Sequence, residues 1–351
     1  MTARPLLEVD GLTVEYGQGR APSLRAVDGV SFDVRPGETV GLVGESGSGK
    51  STIARAVLGL TPVHSGEIRF DGADITRANR GLRRTLSARL QMVFQDPYSS
   101  LNPARTIGQT LAEPLLVHHR LRPAQVDARV AAMLERVGLP AQAAERYPAQ
   151  FSGGQRQRVA IARALMTSAE LVVCDEPVSA LDLSIQAQTL NLLSELQREL
   201  SLSYLFIAHD LPVVRYLSHR VVVLYHGAVM ETGPVELVYE RPAHPYTRAL
   251  LAAVPDPDPR VRSGRHDAPV AAAQAAPRSS AVGCPFAPRC AHAVELCRTE
   301  RPPLLPLRGD GVAGGAAVAC HRAEELISTG NDVASGTVAA GLPKDIQMEE
   351  T

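Results

Sequence analysis

Lysine is nearly absent. The 351 residues hold two, Lys50 and Lys344, and arginine supplies almost all of the positive charge. Tryptophan is missing and aromatic residues make up 4 %, so a core has to pack through aliphatic side chains, for which 45 % hydrophobic content is ample. No run of about 18 apolar residues occurs, which excludes a helix that crosses a bilayer by itself. The stretch from Met1 to Asp10 shows no apolar export segment, and the expectation is a protein on the cytoplasmic side of the membrane. Charge of one sign is lacking too: the formal net charge is −1, which gives no field to gather nucleic acid.

With lysine so scarce, the place of one of them is informative. Gly44, Glu45, Ser46, Gly47, Ser48, Gly49, Lys50 and Ser51, with Thr52 following, fit the phosphate-cradling pattern G-x-x-x-x-G-K-[ST]. Residues 38–43 read as a short buried strand before it, and residues 51–60 as a helix that stops before Pro62. Glycines let backbone N–H groups converge on phosphate oxygens, and the helix N-terminus adds the positive end of its dipole. Lys50 supplies a point charge for the terminal phosphates, and Ser51 offers a hydroxyl to magnesium. The pattern predicts a nucleoside triphosphate site.

A second set of residues belongs to the same chemistry. Leu171–Glu176 is an apolar strand ending in two carboxylates, and in open α/β sheets ligands bind beyond the carboxyl ends of the strands. Asp175 suits magnesium through its water shell, and Glu176 suits the polarisation of an attacking water. Paired carboxylates after a strand also serve as helix N-caps. Phe151, Ser152, Gly153, Gly154 and Gln155 open a further helix, a second anion-binding tip. One nucleotide has no room for both tips from one subunit. The expectation is two cassettes packed head to tail, each offering its Ser152 tip to the other's nucleotide.

Around these motifs the chain reads as α/β. Residues 6–37 and 65–72 alternate as strands of an antiparallel sheet, residues 104–149 carry helical periodicity, and residues 155–240 alternate helices with apolar strands. Past Pro255 the composition turns to Pro, Ala, Arg and Ser, so a linker is expected over 256–283 and a small cysteine-bearing unit over 284–326. Residues 327–351 are expected to be disordered.

On these residues the chain resembles the ATP-binding subunits of ABC transporters, most closely the oligopeptide/dipeptide importers, over residues 6–326. Gly44 to Ser51 match the family's Walker A motif, Leu171 to Glu176 its Walker B motif, and Phe151 to Gln155 its signature, where Phe151 replaces the usual leucine. The resemblance places the family's Q-loop glutamine on Gln95, its D-loop on Ser179–Asp182, its switch histidine on His209 and its adenine-stacking aromatic on Tyr16. It implies an ABC cassette over 1–255, with a P-loop core, an antiparallel β subdomain and a helical subdomain over about 97–165. It further implies catalysis by Glu176, His209 and Lys50, with Ser51, Gln95 and Asp175 at magnesium. Taken singly, His209 also fits a structural histidine, Gln95 a surface side chain, and Tyr16 strand packing.

Four of the five cysteines, Cys284, Cys290, Cys297 and Cys320, lie within 284–320, while Cys174 sits apart in the Walker B strand. Disulfides do not suit a reducing compartment, and the C-x2–4-C pairs usual for zinc are missing. Four thiolates also suit a [4Fe–4S] cluster, which the resemblance implies for this extension; zinc or no metal are the alternatives. Arg241–Leu251 resembles the subfamily's segment after the cassette and points to peptides. The expected function is an ATPase subunit, peripheral on the cytoplasmic face of the membrane, that powers peptide uptake. Its expected partners are a second ATPase chain (identical or paralogous), two membrane permease subunits and an extracytoplasmic binding protein. Nickel, glutathione or opine import, and an ABC ATPase acting on DNA or ribosomes, are the rival readings.

Overall fold

A computed structural model describes residues 4–17, 24–96, 100–253, 282–307 and 315–329. The chain begins with β1 (Leu7–Tyr16), β2 (Leu24–Val34) and β3 (Thr39–Val43), then α1 (Lys50–Val57), β4 (Ser65–Phe70), β5 (Ala73–Asp74) and β6 (Leu90–Val93). Helices Ile107–His118, Pro123–Arg136 and Gly153–Leu165 follow, then β7 (Leu171–Asp175), helix Leu183–Leu200, β8 (Ser203–Ile207) and helix Leu211–Leu217. The last strands are β9 (Arg220–Tyr225), β10 (Ala228–Pro234), β11 (Leu305–Pro306) and β12 (Ala317–Val318), with helices Pro245–Ala252 and Ala323–Thr329 among them.

Two sheets form. The smaller is antiparallel in the order β2-β1-β4-β5, with Val9 opposite both Phe32 and Ile68. The larger runs β11-β12-β10-β9-β3-β8-β7-β6. From β9 to β6 it is parallel, and from β9 outward to β11 it is antiparallel.

The parallel strands are apolar on both sides because each side meets a different core. Along β7, Val172 and Cys174 join one cluster while Leu171 and Val173 join the other. The same alternation divides Tyr204 and Phe206 from Leu205 and Ile207 on β8, and Val221 and Val223 from Val222 and Leu224 on β9. One cluster packs the sheet against the long helices, and the other packs it against α1 and the small antiparallel sheet. The helix Leu211–Leu217 lies so close to β3 that a Cβ at Gly41 would sit 2.5 Å from Val214 Cγ1. Strands squeezed from both sides in this way hold the loops at their carboxyl ends in fixed places. No described helix is long and apolar enough to cross a membrane.

Three features differ from the sequence reading. The helix expected to reach residue 60 ends at Val57, because Gly59 turns to φ +68° against the Arg83 guanidinium. The strand pieces of residues 6–37 are two long strands whose register shifts at bulges near Val9, Leu12 and Val14. The segment from residue 284 is not a separate body. Its β12 pairs with β10, Glu231 opposite Val318, and Cys284, Phe286 and Cys297 sit in the same core cluster as β7 and β8. A stretch too short to build its own core borrows the cassette's. The expected linker, apart from Val282 and Gly283, and the tail beyond Thr329 lie outside the described residues.

Candidate functional site

The loop from Gly44 to Gly49 leaves β3 and enters α1. Two of its glycines are required by space as well as by conformation. A Cβ on Gly44 (φ +148°) would stand 2.1 Å from the Leu224 carbonyl oxygen, and one on Gly49 (φ +104°) 2.6 Å from that of Ala26. The loop closes over the Lys50 ammonium, whose Nζ donates to the carbonyls of Gly44 (2.8 Å) and Glu45 (3.0 Å) and to Ser48 Oγ (3.4 Å). Burial lowers the Lys50 pKa, and the charges of Glu176, Asp175 and Glu45 oppose that shift. An ammonium held this way is short of negative partners, which a triphosphate supplies. The side chains of Ser46 and Thr52 flank the loop, half-buried to exposed. Tyr16, 41 % exposed at the end of β1, donates its hydroxyl to Thr52 Oγ1 at 3.4 Å, which leaves a ring open to solvent beside the first turn of α1.

β7 delivers the carboxylates to the same place. Ser51 Oγ donates to Asp175 Oδ1 at 2.9 Å. Burial pushes the Asp175 pKa up, with the Ser51 hydrogen bond acting against it and the neighbouring Glu176 charge adding to it. A half-desolvated carboxylate with a hydroxyl beside it is a hard-oxygen donor set, and Mg²⁺ fits it chemically. Glu176 sits at φ +47°, its N–H bonded to the Ile207 carbonyl at 2.9 Å, so the end of β8 holds the turn that carries it. Its Oε2 accepts from Gln95 Nε2 at 2.9 Å and lies 3.4 Å from His209 Nδ1. Beside it opens a space of about 120 Å³ lined by Glu176, Ser179, Gln186, His209 and Asp210, among others, which has room for water.

Several of the expected site residues make local contacts of their own. Gln95, expected at magnesium, donates from its amide nitrogen to Glu176 Oε2 at 2.9 Å, a bond that does not use its amide oxygen. Ser152 and Gln155 bond each other across a capping box at the start of helix Gly153–Leu165, with Ser152 exposed. Gly153 is half-buried there, and a Cβ on Gly154 would meet Ile185 Cγ2 at 2.4 Å, so the tip rests on helix Leu183–Leu200. Asp182 is exposed and caps that helix through the Ile185 N–H at 3.0 Å.

Two residues the motifs did not single out reach the loop. The Tyr246 hydroxyl accepts the Glu45 N–H at 2.9 Å, and Arg289 donates to the Glu45 carboxylate at 3.0 Å. Tyr246 lies in the segment already noted over 241–251; for Arg289, its position beside Cys290 was the one available hint.

Cys284, Cys290, Cys297 and Cys320 line one small cavity of about 20 Å³ together with His244, Phe286, His292 and His321. All five cysteines of the chain are free thiols. Burial pushes Cys284 up to about 11 and raises Cys290 and Cys320 as well, so each favours the neutral thiol while no metal is bound. Among the described residues no group of three or more His, Cys, Asp or Glu is placed to hold a metal ion. Neither the zinc nor the [4Fe–4S] cluster of the sequence reading is supported by that placement. Cys174, in β7, is fully buried and its thiol is pushed strongly up by burial.

A family model described as ABC transporter matches residues 27–179, and one for the oligopeptide/dipeptide transporter C-terminal region matches residues 230–297. A protein of Brucella abortus (strain 2308), provisionally named a peptide import ATP-binding protein, is 49 % identical over 322 residues, covering 90 % of this chain and 93 % of the relative. The chain belongs to the ABC transporter family. A similarly named protein of Brucella ovis is 49 % identical over 312 residues, 88 % of this chain and 96 % of that one. Solved ABC cassettes show the same architecture. A dimeric ATP-binding cassette in a post-hydrolysis state with ADP and Pi is 28 % identical with a TM-score of 0.60, over 65 % of this chain and 98 % of that one. A component of an ABC transporter complex of Clostridium perfringens is 28 % identical with a TM-score of 0.61, over 67 % of this chain and 90 % of that one. The ABC transporter match spans the Lys50 loop, Gln95, the Ser152 tip and the Asp175–Glu176 pair.

Proposed function

We propose that this ABC ATPase energises import of di- and oligopeptides through separate membrane permease subunits, from the cytoplasmic face of the membrane. The observation that carries the ATPase reading is the convergence, at the carboxyl ends of the parallel strands, of the Lys50 loop, the Ser51–Asp175 pair and a Glu176 carboxylate held by Gln95 beside His209. The loop's N–H groups and Lys50 bind the phosphates of ATP, and Tyr16 offers its ring to the base. When bound at Ser51 and Asp175, Mg²⁺ supplies charge neutralisation for the β- and γ-phosphates. Glu176 orients a water in line with the γ-phosphorus and accepts its hydrogen bond. As the water oxygen bonds to phosphorus, the bond to the β–γ bridging oxygen breaks, and ADP and phosphate leave. His209, which lines the same space as Glu176, reads as a partner for the γ-phosphate.

The Ser152 tip reads as the half-site offered to a second cassette, identical or paralogous. Ser152 and Gln155 bond within their own turn and Ser152 is exposed, as a surface awaiting a partner chain's nucleotide would be. Peptide cargo rests on the match to the oligopeptide/dipeptide transporter C-terminal region and on the names of the relatives; it favours peptides over nickel, glutathione or opines. An extracytoplasmic binding protein would deliver the peptide. The four thiols around one cavity are read as ligands of a [4Fe–4S] cluster with a structural role.

The test is to purify the tagged chain anaerobically with its membrane partners, reconstitute the complex and measure ATP-dependent uptake of labelled peptides. Uptake of nickel or glutathione but no peptide would overturn the cargo. A colourless chain holding zinc and no iron would overturn the cluster.

A further inference from the structure

Two of the side chains in residues 282–307 bond toward the nucleotide loop. Arg289, between Cys284 and Cys290, places Nη1 3.0 Å from both carboxylate oxygens of Glu45, the second residue of that loop. The same nitrogen donates to the Tyr225 hydroxyl at 3.4 Å, and the guanidinium lies 5.7 Å from the ring centroids of both Tyr225 and Phe286. The Tyr246 hydroxyl accepts the Glu45 N–H at 2.9 Å, and its ring packs on Tyr225 at 4.6 Å and on Phe286 at 5.4 Å. Glu45 is therefore held by backbone and side chain at once, by groups standing on one aromatic platform. A second path reaches the loop from its other side. Arg301 donates to the Asp28 carboxylate and carbonyl, Asp28 N–H donates to the Gly227 carbonyl at 2.9 Å, and Gly227 N–H donates to the Ser48 carbonyl at 2.9 Å.

We propose that Arg289 is a positioning residue of the ATPase, setting from the cysteine-bearing segment the conformation in which the Lys50 loop receives the triphosphate. The proposal rests on the ATPase reading of that loop. Two physical effects act together. A loop with three glycines in six residues samples many shapes when free, and affinity is reduced by the fraction of time spent out of the competent one. Arg289 and Tyr246 anchor its entry and raise that fraction. Arg289 also neutralises a carboxylate that would otherwise stand beside the phosphates of ATP and repel them. The rings of Tyr225 and Phe286 keep the guanidinium in register, which a freely exposed ion pair could not do. Whatever orders Cys284 and Cys290 thereby orders Arg289, so the thiol cavity and the nucleotide loop become one mechanical unit.

The experiment measures binding of a fluorescent ATP analogue with magnesium, and the KM and kcat of ATP hydrolysis, on the full chain and its variants. Arg289→Ala is expected to raise the Kd and KM about tenfold while kcat stays within about twofold. Arg289→Lys recovers part of the affinity. Adding Glu45→Gln to Arg289→Ala recovers part as well, by removing the unmasked charge. Should Arg289→Ala fail to fold, Arg289→Gln keeps the stem on the rings and gives the same readout. Wild-type affinity in folded Arg289→Ala or Arg289→Gln overturns the positioning role alone. Failure of the wild type to bind the nucleotide overturns the ATPase reading and this proposal together.

Discussion

The nucleotide cradle and the cysteine-lined cavity lie on either side of Glu45, yet they are built on opposite principles. The cradle places charge: Lys50 is closed over by carbonyls, Asp175 is met by Ser51, and Glu176 by Gln95 and His209. The cavity gathers thiols, at least three of them pushed toward the neutral form by burial. A site of charges can stay half open to water, because its groups satisfy one another and await a charged ligand. A site of buried thiols needs walls, and it takes them from the cassette: Phe286 and Cys297 lie in the main core cluster, and Tyr225 of β9 meets Phe286 edge-on at 5.3 Å. Changes in the cradle should therefore cost function and spare stability, and changes in the cavity wall should do the reverse first.

The largest expected effect is on the cradle side. Glu176→Gln should lower ATP turnover by about 10²–10⁴-fold, with binding of magnesium–ATP and the unfolding midpoint retained. Turnover measured beside thermal unfolding checks both halves, and a wild-type rate would refute the base assignment. On the cavity side, Phe286→Ala should destabilise the fold by about 3–5 kcal/mol, read by chemical denaturation, because it empties a ring shared by the platform and the core. A cradle-like result there, with activity lost at unchanged stability, would break the comparison. Lys50→Ala should weaken ATP binding by about 1.5–3 kcal/mol, the worth of hydrogen bonds to a charged partner. Since burial already disfavours the bare ammonium, its unfolding midpoint should not fall. Smallest is Tyr16→Ala, expected to raise the KM for ATP by the loss of about 1–3 kcal/mol of base stacking. An unchanged KM would return Tyr16 to the role of strand packing.

Legibility followed the same division. The strand at Thr39–Val43, the start of α1 and the helix that opens after Ser152 could all be read from the sequence. Each depends on neighbours within one or two turns. The end of α1 at Val57 could not be read from the apolar pattern, which runs on through Leu58 and Leu60, while the chain turns at Gly59 with φ +68°. Nor could the docking of β12 on β10, because two residues, Ala317 and Val318, are too short a run to announce a strand. Arg289 was hidden for a plainer reason: among so many arginines in the chain, its place beside Cys290 is all that marks the one that meets Glu45.

By itself the sequence determined the phosphate loop and the kinds of chemistry at its rim, because eight consecutive residues are kept together by the chain and their glycines permit the positive-φ turns that wrap them round a phosphate. The tertiary structure alone decided which distant groups complete it. Ser51 meets Asp175 across 124 residues, Gln95 meets Glu176 across 81, and Arg289 meets Glu45 across 244. Those meetings follow from the order of the strands and the two cores that press on them, and no short stretch of sequence carries that order.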